Sequence, residues 1–121
     1  MSEILDKDKV MPMFVTDNET GTQFELDFSR EGVVFAENRG FSMDEVAKFP
    51  MTRIPDLFFY AFRKNHRNVG RNQTDALLKK MGGLSGAALE RLGQLYQQAL
   101  QYSGVIKDKE DDTEKNVTVE L

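Results

Sequence analysis

The stretch from Pro50 to Val69, PMTRIPDLFFYAFRKNHRNV, constrains the fold more than any other. Its apolar side chains recur at spacings of three and four residues, as in a helix buried over most of its circumference. The members of this apolar block are Ile54, Leu57, Phe58, Phe59, Tyr60, Ala61 and Phe62. Thr52 is placed to cap the helix, and Pro55 lies in its first turn, where the missing N–H costs little. Burying one such side chain is worth roughly 1.5 to 3 kcal/mol, so we expect other elements to surround this helix.

Length and composition limit the class of protein. A chain of 121 residues with 40% hydrophobic content fits one globular domain. Cysteine is absent, which excludes disulfides, a thiolate nucleophile and cysteine metal sites. The first residues are charged where a secretory signal needs an apolar core, and no apolar run reaches the length of a membrane span. We therefore expect a protein of the cytoplasm that does not enter a membrane.

Two segments near the N-terminus alternate in polarity and predict a β-hairpin. The segments are 10–15 and 22–28, and the turn formers TDNETG lie between them. In the second segment Phe24, Leu26 and Phe28 are expected on the core face, and Gln23, Glu25 and Asp27 on the opposite face. A lone hairpin is marginal in water, so its apolar face is expected to pack on the helices that follow.

Capping residues then divide the chain into helices. Ser29 is predicted to cap a helix that runs to Asn38, with Val33, Val34 and Phe35 facing inward. The sequence from Ser42 to Glu45 has capping-box spacing and predicts a short helix that stops before Pro50. The central helix is expected to continue to about Val69 and Gly70. Asn72 or Thr74 is then predicted to cap a segment that ends at Gly82 and Gly83.

The last long helix is predicted to start at a Ser85 cap and to end at Ser103 and Gly104. Gly93 lies inside it, where glycine costs about 1 kcal/mol against alanine and allows close approach of another helix. The predicted fold class is therefore α+β, mainly α, with an N-terminal hairpin packed on a small bundle of about four to five helices. Residues 1–9 are expected to be flexible, 10–105 to form one globular domain, and 106–121 to be an acidic, disordered tail.

The sequence offers no residues for catalysis, a cofactor or a metal. His66 is the only histidine, so a zinc site or a histidine-based triad lacks partners, and a surface or helix-terminal role is favoured. The glycines at 82, 83 and 86 do not follow the phosphate-loop pattern. We therefore expect a protein that is not an enzyme and binds no cofactor.

The segment from Arg63 to Lys80 carries six positive charges against one negative charge, although the whole chain has a net charge of −4. A small nucleic-acid-binding regulator is one reading of this segment. Its phosphate contacts would come from Arg63, Lys64, Arg67 and Arg71. Two observations argue against nucleic acid: the chain is acidic overall, and the only aromatic residues near this segment belong to the apolar block. A run of charge is more often a solvated surface.

Apolar side chains are abundant for a chain of this length. There are nine Phe, three Tyr and six Met residues, and methionine is common on adaptable binding surfaces. Most of these side chains are expected to fill the core. The surplus favours a surface that meets an apolar segment of a partner or another copy of the chain.

The order of several short motifs resembles the tail assembly chaperone-like proteins of long-tailed phages and prophages of Gram-positive bacteria. The motifs are FELDFSR at 24–30, Gly40-Phe41, DEV at 44–46, PMT at 50–52, then Pro55, Leu57-Phe58, Ala61-Phe62 and His66. The later pattern of Leu89, Leu92 and Tyr96 also matches. The resemblance covers about residues 24–100, and the order of the motifs is more specific than any one of them.

The resemblance implies a non-enzymatic chaperone in the bacterial host that keeps the apolar, helical tape measure protein soluble. The tail tube protein is a further expected partner, since tube subunits displace the chaperone as they polymerise. If the chain binds the tape measure protein, we expect contacts from exposed members of one set: Phe58, Phe59, Phe62, Leu92, Leu95 and Tyr96. A structural tail-completion subunit is an alternative to the chaperone. The sequence leaves a homo-oligomer open.

Overall fold

The predicted α+β, mainly helical class is confirmed in a computed structural model, which describes residues 9–101 and 120. Strands β1 and β2 form an antiparallel hairpin, and helices α1 to α4 follow. Their bounds are β1 Met13–Asp17, β2 Thr22–Leu26, α1 Arg30–Asn38, α2 Pro50–Tyr60, α3 Arg71–Met81 and α4 Gly86–Gln101. A short 3₁₀ helix, Met43–Glu45, lies between α1 and α2. The predicted end of the last helix at residues 103–104 and the predicted tail fall outside the described residues, apart from residue 120.

The hairpin forms where the alternating pattern predicts it. Met13 lies opposite Leu26 and Asp17 lies opposite Thr22, and Gly21 supplies the left-handed conformation that the turn needs, with φ of 76°. The prediction for Asp27 was wrong, because this side chain is buried instead of facing water. Its carboxylate accepts hydrogen bonds from the N–H of Phe28 at 2.8 Å and from Lys64 Nζ at 2.7 Å.

The central helix is shorter than predicted because the segment after Tyr60 turns back along β2. Ala61 accepts a hydrogen bond from the N–H of Asp27, and Asn65 donates to the carbonyl of Glu25. Nε2 of His66 accepts the N–H of Glu25 at 2.9 Å. The residues after α2 therefore satisfy the outward N–H and C=O of Glu25, and His66 ties that turn to β2.

The apolar block of α2 provides the centre of the core, as its periodicity predicts. Leu57, Phe58 and Ala61 are fully buried, and Phe62 is 1% exposed. Rings on the other elements complete an aromatic cluster around Tyr60 and Tyr96 through Phe28, Phe35 and Phe41. The helix begins earlier than expected, at Pro50 after Phe49, so the predicted Thr52 cap was wrong. The Thr52 hydroxyl lies within the first turn and donates to the carbonyl of Phe49.

The Ser29 cap of α1 is confirmed, since its hydroxyl accepts the N–H of Gly32 at 3.1 Å. The expected inward orientation of Val34 was wrong, because 45% of it is exposed. The capping box at Ser42 was also wrong. The Ser42 hydroxyl accepts the N–H of Asp44, and the Glu45 carboxylate instead accepts Nε of Arg53 at 2.8 Å.

Helices α3 and α4 lie where the pattern predicts them, but one cap differs. Neither Asn72 nor Thr74 caps α3, because the helix begins at Arg71, directly after Gly70. The predicted break at Gly82 is confirmed by its left-handed conformation, with φ of 75°. The Ser85 cap of α4 is confirmed by a hydrogen bond from the N–H of Ala88 at 3.1 Å.

Candidate protein-binding face on the last helix

The six side chains predicted to contact a partner lie mainly in the core. The buried members are Phe58, Phe62, Leu92, Leu95 and Tyr96. These five are therefore not among the exposed members from which contacts were expected. Their apolar character is used inside the domain, where the helices pack on one another. Phe59 is only partly buried, and the guanidinium of Arg71 lies 5.7 Å from its ring centre.

The basic segment is neutralised by carboxylates that are distant in sequence. Glu31 accepts hydrogen bonds from Arg63 at 2.9 Å and from Arg67 at 3.1 Å. The Arg63 guanidinium also lies 3.9 Å from the ring centre of Phe35. The hydrogen bond from Arg63 lowers the pKa of Glu31 below its ordinary value, so this carboxylate stays charged at neutral pH.

The other two residues proposed for phosphate contacts have acidic partners as well. Lys64 binds Asp27, while Arg71 bridges Asp56 and Asp75 at 2.9 Å each. All four of the residues proposed for nucleic acid are thus ion-paired within the fold. The six-to-one charge excess seen in the sequence does not produce a free basic surface around them, which weakens the nucleic-acid reading.

The described part of the chain shows no arrangement typical of an active site. No group of three or more His, Asp or Glu side chains in it is placed to hold a metal ion. Every buried side-chain nitrogen or oxygen among these residues has a hydrogen-bond partner. Burial raises the pKa of Tyr96 to about 12, so its hydroxyl remains protonated at physiological pH. His66 has a structural role as the acceptor that holds β2.

A shallow depression runs along the outward side of α4 and forms the best candidate site. We call this surface the α4 face. Its volume is about 480 Å³, and its residues are Val10, Met43, Glu90, Gly93, Gln94, Gln97, Gln98 and Gln101. Val10 is held on one side because its N–H donates to Oε1 of Gln98 at 2.6 Å. Met43, from the 3₁₀ helix, lines the other side of the depression. The α4 face therefore combines apolar atoms with glutamine amides and contains one charged residue.

The packing of residues 9–101 does not explain the glycine at position 93. It lies in the interior of a 16-residue helix, where glycine destabilises by about 1 kcal/mol relative to alanine. Among the described residues, a Cβ built on Gly93 has one neighbour within 4 Å, Cε of Met43 at 3.6 Å, which is an ordinary van der Waals distance. The domain thus has room for alanine at this position. The absence of a side chain leaves the helix backbone approachable from outside.

The other exposed apolar side chains of the described residues belong to several different elements. Phe49 and Met51 are neighbours at the start of α2, where they are 54% and 89% exposed. The remaining large ones lie on separate elements: Met11 before β1, Phe14 on β1, Val34 on α1 and Met81 at the end of α3. Single exposed apolar residues are normal on a soluble protein and do not by themselves mark a site.

Sequence reasoning selected apolar residues of α2 and α4 as contacts, and all of them except Phe59 are buried. Two signals for the α4 face were nevertheless present in the sequence. One is Gly93, which was recognised as a place of close approach. The other was missed, namely four glutamines at 94, 97, 98 and 101, whose spacing of three and four places them together on the outward side of the helix.

Comparison with known proteins assigns a family but no activity. The model of the DUF5055 family, described as a domain of unknown function, matches residues 4–121, so the chain belongs to that family. No curated protein and no solved structure matches the chain. Among the described residues, no helix has the length and apolar character needed to cross a bilayer.

Proposed function

We propose that this DUF5055 protein is a non-enzymatic chaperone of phage tail assembly that binds an apolar helical segment of the tape measure protein. The motif order described above suggests the process and the partner. The observation that carries the binding site is Gly93, an interior helix glycine that the packing of residues 9–101 does not require and that opens onto the α4 face. The proposed protein has no catalytic residue and no cofactor, and it works in the host cytoplasm.

The chemistry of the α4 face suits an apolar helix. Val10 and Met43 provide apolar contacts, and the methionine side chain adapts to partners of irregular shape. The exposed amides of Gln94, Gln97 and Gln101 donate and accept hydrogen bonds. Because glutamine is uncharged, covering these side chains avoids the several kcal/mol that desolvating an ion costs. Because this surface is only moderately apolar, we expect the complex to be reversible. A chaperone that is displaced by tail tube subunits requires such a reversible complex.

Close approach is the reason for glycine in this arrangement. Packed helices lie 8–10 Å apart, and the distance depends on the side chains at the point of contact. With no side chain at Gly93, the backbone of a partner helix approaches α4 at the lower end of that range. The gain in dispersion contacts then offsets the roughly 1 kcal/mol that the glycine costs the free protein.

Co-expression with a tape measure protein from a related phage tests the function. We expect the tape measure protein to stay soluble and to co-purify with the wild-type chain. Gln97→Arg places a charge in the middle of the α4 face and is expected to abolish co-purification, since the arginine must be desolvated without a partner. Val34→Arg is the matched control, because Val34 is an exposed apolar residue on α1, away from this face.

Three outcomes separate the readings, provided that both variants unfold at the wild-type temperature. Precipitation of the tape measure protein beside soluble wild-type chain would overturn the chaperone proposal. Solubilisation that survives Gln97→Arg would move the binding site away from the α4 face. Retention of the chain in finished virions would favour a structural tail-completion subunit, and binding to the tail tube protein is tested in the same preparations.

A further inference from the structure

One outward position on β2 of the hairpin is satisfied by the segment that follows α2. The outward N–H and C=O of Glu25 on β2 are both satisfied, by His66 and Asn65. In an antiparallel pair, opposite residues have the same hydrogen-bonding orientation. Phe14, which lies opposite Glu25, therefore directs its own N–H and C=O away from the hairpin, and so does Thr16 two residues later. Within the described ranges these four backbone groups of β1 have no partner.

An unpaired edge strand is a template for another strand, and proteins usually block such edges. The free edge of β1 is interrupted only at its start, by Pro12. Phe14 is 53% exposed on the side of the sheet away from the core. We propose that β1 pairs antiparallel with β1 of a second copy of the chain, which joins two hairpins into one four-stranded sheet. This proposal concerns a surface separate from the α4 face and does not depend on the proposed function.

A second copy fits this edge because one self-pairing register satisfies every outward group. When the two-fold axis lies at Val15, the outward N–H and C=O of Phe14 both form hydrogen bonds with Thr16 of the second copy. By symmetry, Thr16 forms the same two hydrogen bonds with Phe14 of the second copy. A register centred on Phe14 places Thr16 opposite the partner's Pro12, which has no N–H to offer to the Thr16 carbonyl. The proline therefore selects the Val15-centred register over the one centred on Phe14.

The charges of β1 are compatible with this register. Asp17 lies opposite the partner's Met13, so the two copies of Asp17 are at opposite ends of the paired strands. Asp17 is also bound to Lys80 of its own chain at 3.0 Å. Like charges directly opposite each other destabilise a strand pair, and this arrangement has none.

Sedimentation equilibrium of the full chain over a wide concentration range tests the proposal. We expect a mass that rises from 13.8 kDa toward twice that value. Thr16→Pro removes one outward N–H per chain without removing a bond between β1 and β2, and it is expected to leave the protein monomeric. Thr16→Val is the matched control, because it keeps the N–H and removes the same hydroxyl, and it is expected to dimerise like the wild type.

Disulfide trapping tests the register. Because the chain has no cysteine, only the introduced cysteines can form a disulfide. In the Val15-centred register, positions 14 and 16 of the two copies lie opposite each other at roughly 5.5 Å between Cα atoms, which a disulfide spans. Two copies of position 14 lie diagonally at roughly 7–8 Å, which is too far. Mixing Phe14→Cys with Thr16→Cys is therefore expected to give a cross-linked dimer, and Phe14→Cys alone is expected to give none.

Each result bears on the proposal. A chain that stays at 13.8 kDa at every concentration overturns it, because β1 is then free or covered by something other than a second copy. A dimer that survives Thr16→Pro with wild-type affinity overturns the use of this edge. Cross-linking of Phe14→Cys with itself overturns the Val15-centred register.

Discussion

Gly93→Ala is expected to stabilise the free protein and to weaken its complex. In an exposed helix interior, alanine in place of glycine gains about 0.8–1 kcal/mol. No clash reduces this gain, because the new Cβ lies 3.6 Å from Cε of Met43, at the end of a flexible side chain. For a domain of near 100 residues, 1 kcal/mol corresponds to an increase of about 4–8 °C in Tm.

The same methyl group is expected to obstruct a partner helix that packs against the α4 face. Inserting one extra carbon into a close contact costs about 1–3 kcal/mol, which is roughly a 5- to 150-fold increase in Kd. Urea denaturation gives the change in free energy of unfolding, and titration with a peptide from the tape measure protein gives the change in Kd. Ala87→Gly is a useful comparison, because it lowers helix propensity near the start of α4 without changing the centre of the α4 face.

The result that supports the reasoning is a Gly93→Ala variant that is more stable than the wild type and binds the partner more weakly. If Gly93→Ala destabilises the free protein, then the monomer itself requires the glycine, and the argument for the α4 face is refuted. If the variant is more stable and binds as tightly as the wild type, no partner approaches closely at Gly93. Both measurements use the same purified proteins, so folding and binding are separated directly.

Three further predictions follow from the fold. His66→Ala is expected to lower the free energy of unfolding by about 1–3 kcal/mol in urea denaturation, because the N–H of Glu25 loses its acceptor; a loss below 0.5 kcal/mol would show that water replaces the imidazole. Leu92→Ala is expected to cost about 2–5 kcal/mol, as a fully buried leucine does, whereas a leucine used only for partner contact would leave stability unchanged. Because the fold lowers the pKa of Glu31, this carboxylate contributes stability at pH values above its ordinary pKa of 4.5. That stability is lost as the pH falls through the lower pKa of the folded state. Glu31→Gln is therefore expected to flatten the dependence of Tm on pH below 4.5, and an unchanged slope would contradict this.

Local signals were predicted correctly where a residue and its backbone target are neighbours. The Ser29 and Ser85 hydroxyls each accept an N–H three residues later, and the helices start there as expected. The turn of the hairpin and the break at Gly82 also depend on local conformation alone. The apolar periodicity of 50–62 identified the helix at the centre of the core, since that helix packs against several other elements.

The predictions failed where a residue far away in the sequence binds a group that was expected to interact with its sequence neighbours. Glu45 was expected to complete a capping box, but Arg53 lies within 2.8 Å and takes its carboxylate. The central helix was expected to reach Val69, but the residues after Tyr60 instead satisfy the outward N–H and C=O of Glu25 on β2. The ion pairs of the basic segment could not be predicted for the same reason, because Glu31 is 32 residues before Arg63 in the sequence and pairs with it in the fold.

The candidate site could be predicted only in part. Apolar residues such as Phe58 and Leu95 attracted attention as contacts, yet a domain of this size needs them in its core. Gly93 carried the useful signal, since a glycine inside a helix has a cost that requires a reason. Whether that reason lies inside the monomer depends on the distance to Met43, which the sequence does not contain.

Photo-cross-linking from single cysteines tests the central claim most directly, because the chain has no cysteine of its own. A benzophenone attached at Gln97→Cys on the α4 face is expected to cross-link to the co-expressed tape measure protein, and one attached at Val34→Cys on α1 is expected not to. Cross-links from position 34 with none from position 97 would contradict the account and place the partner on a different surface.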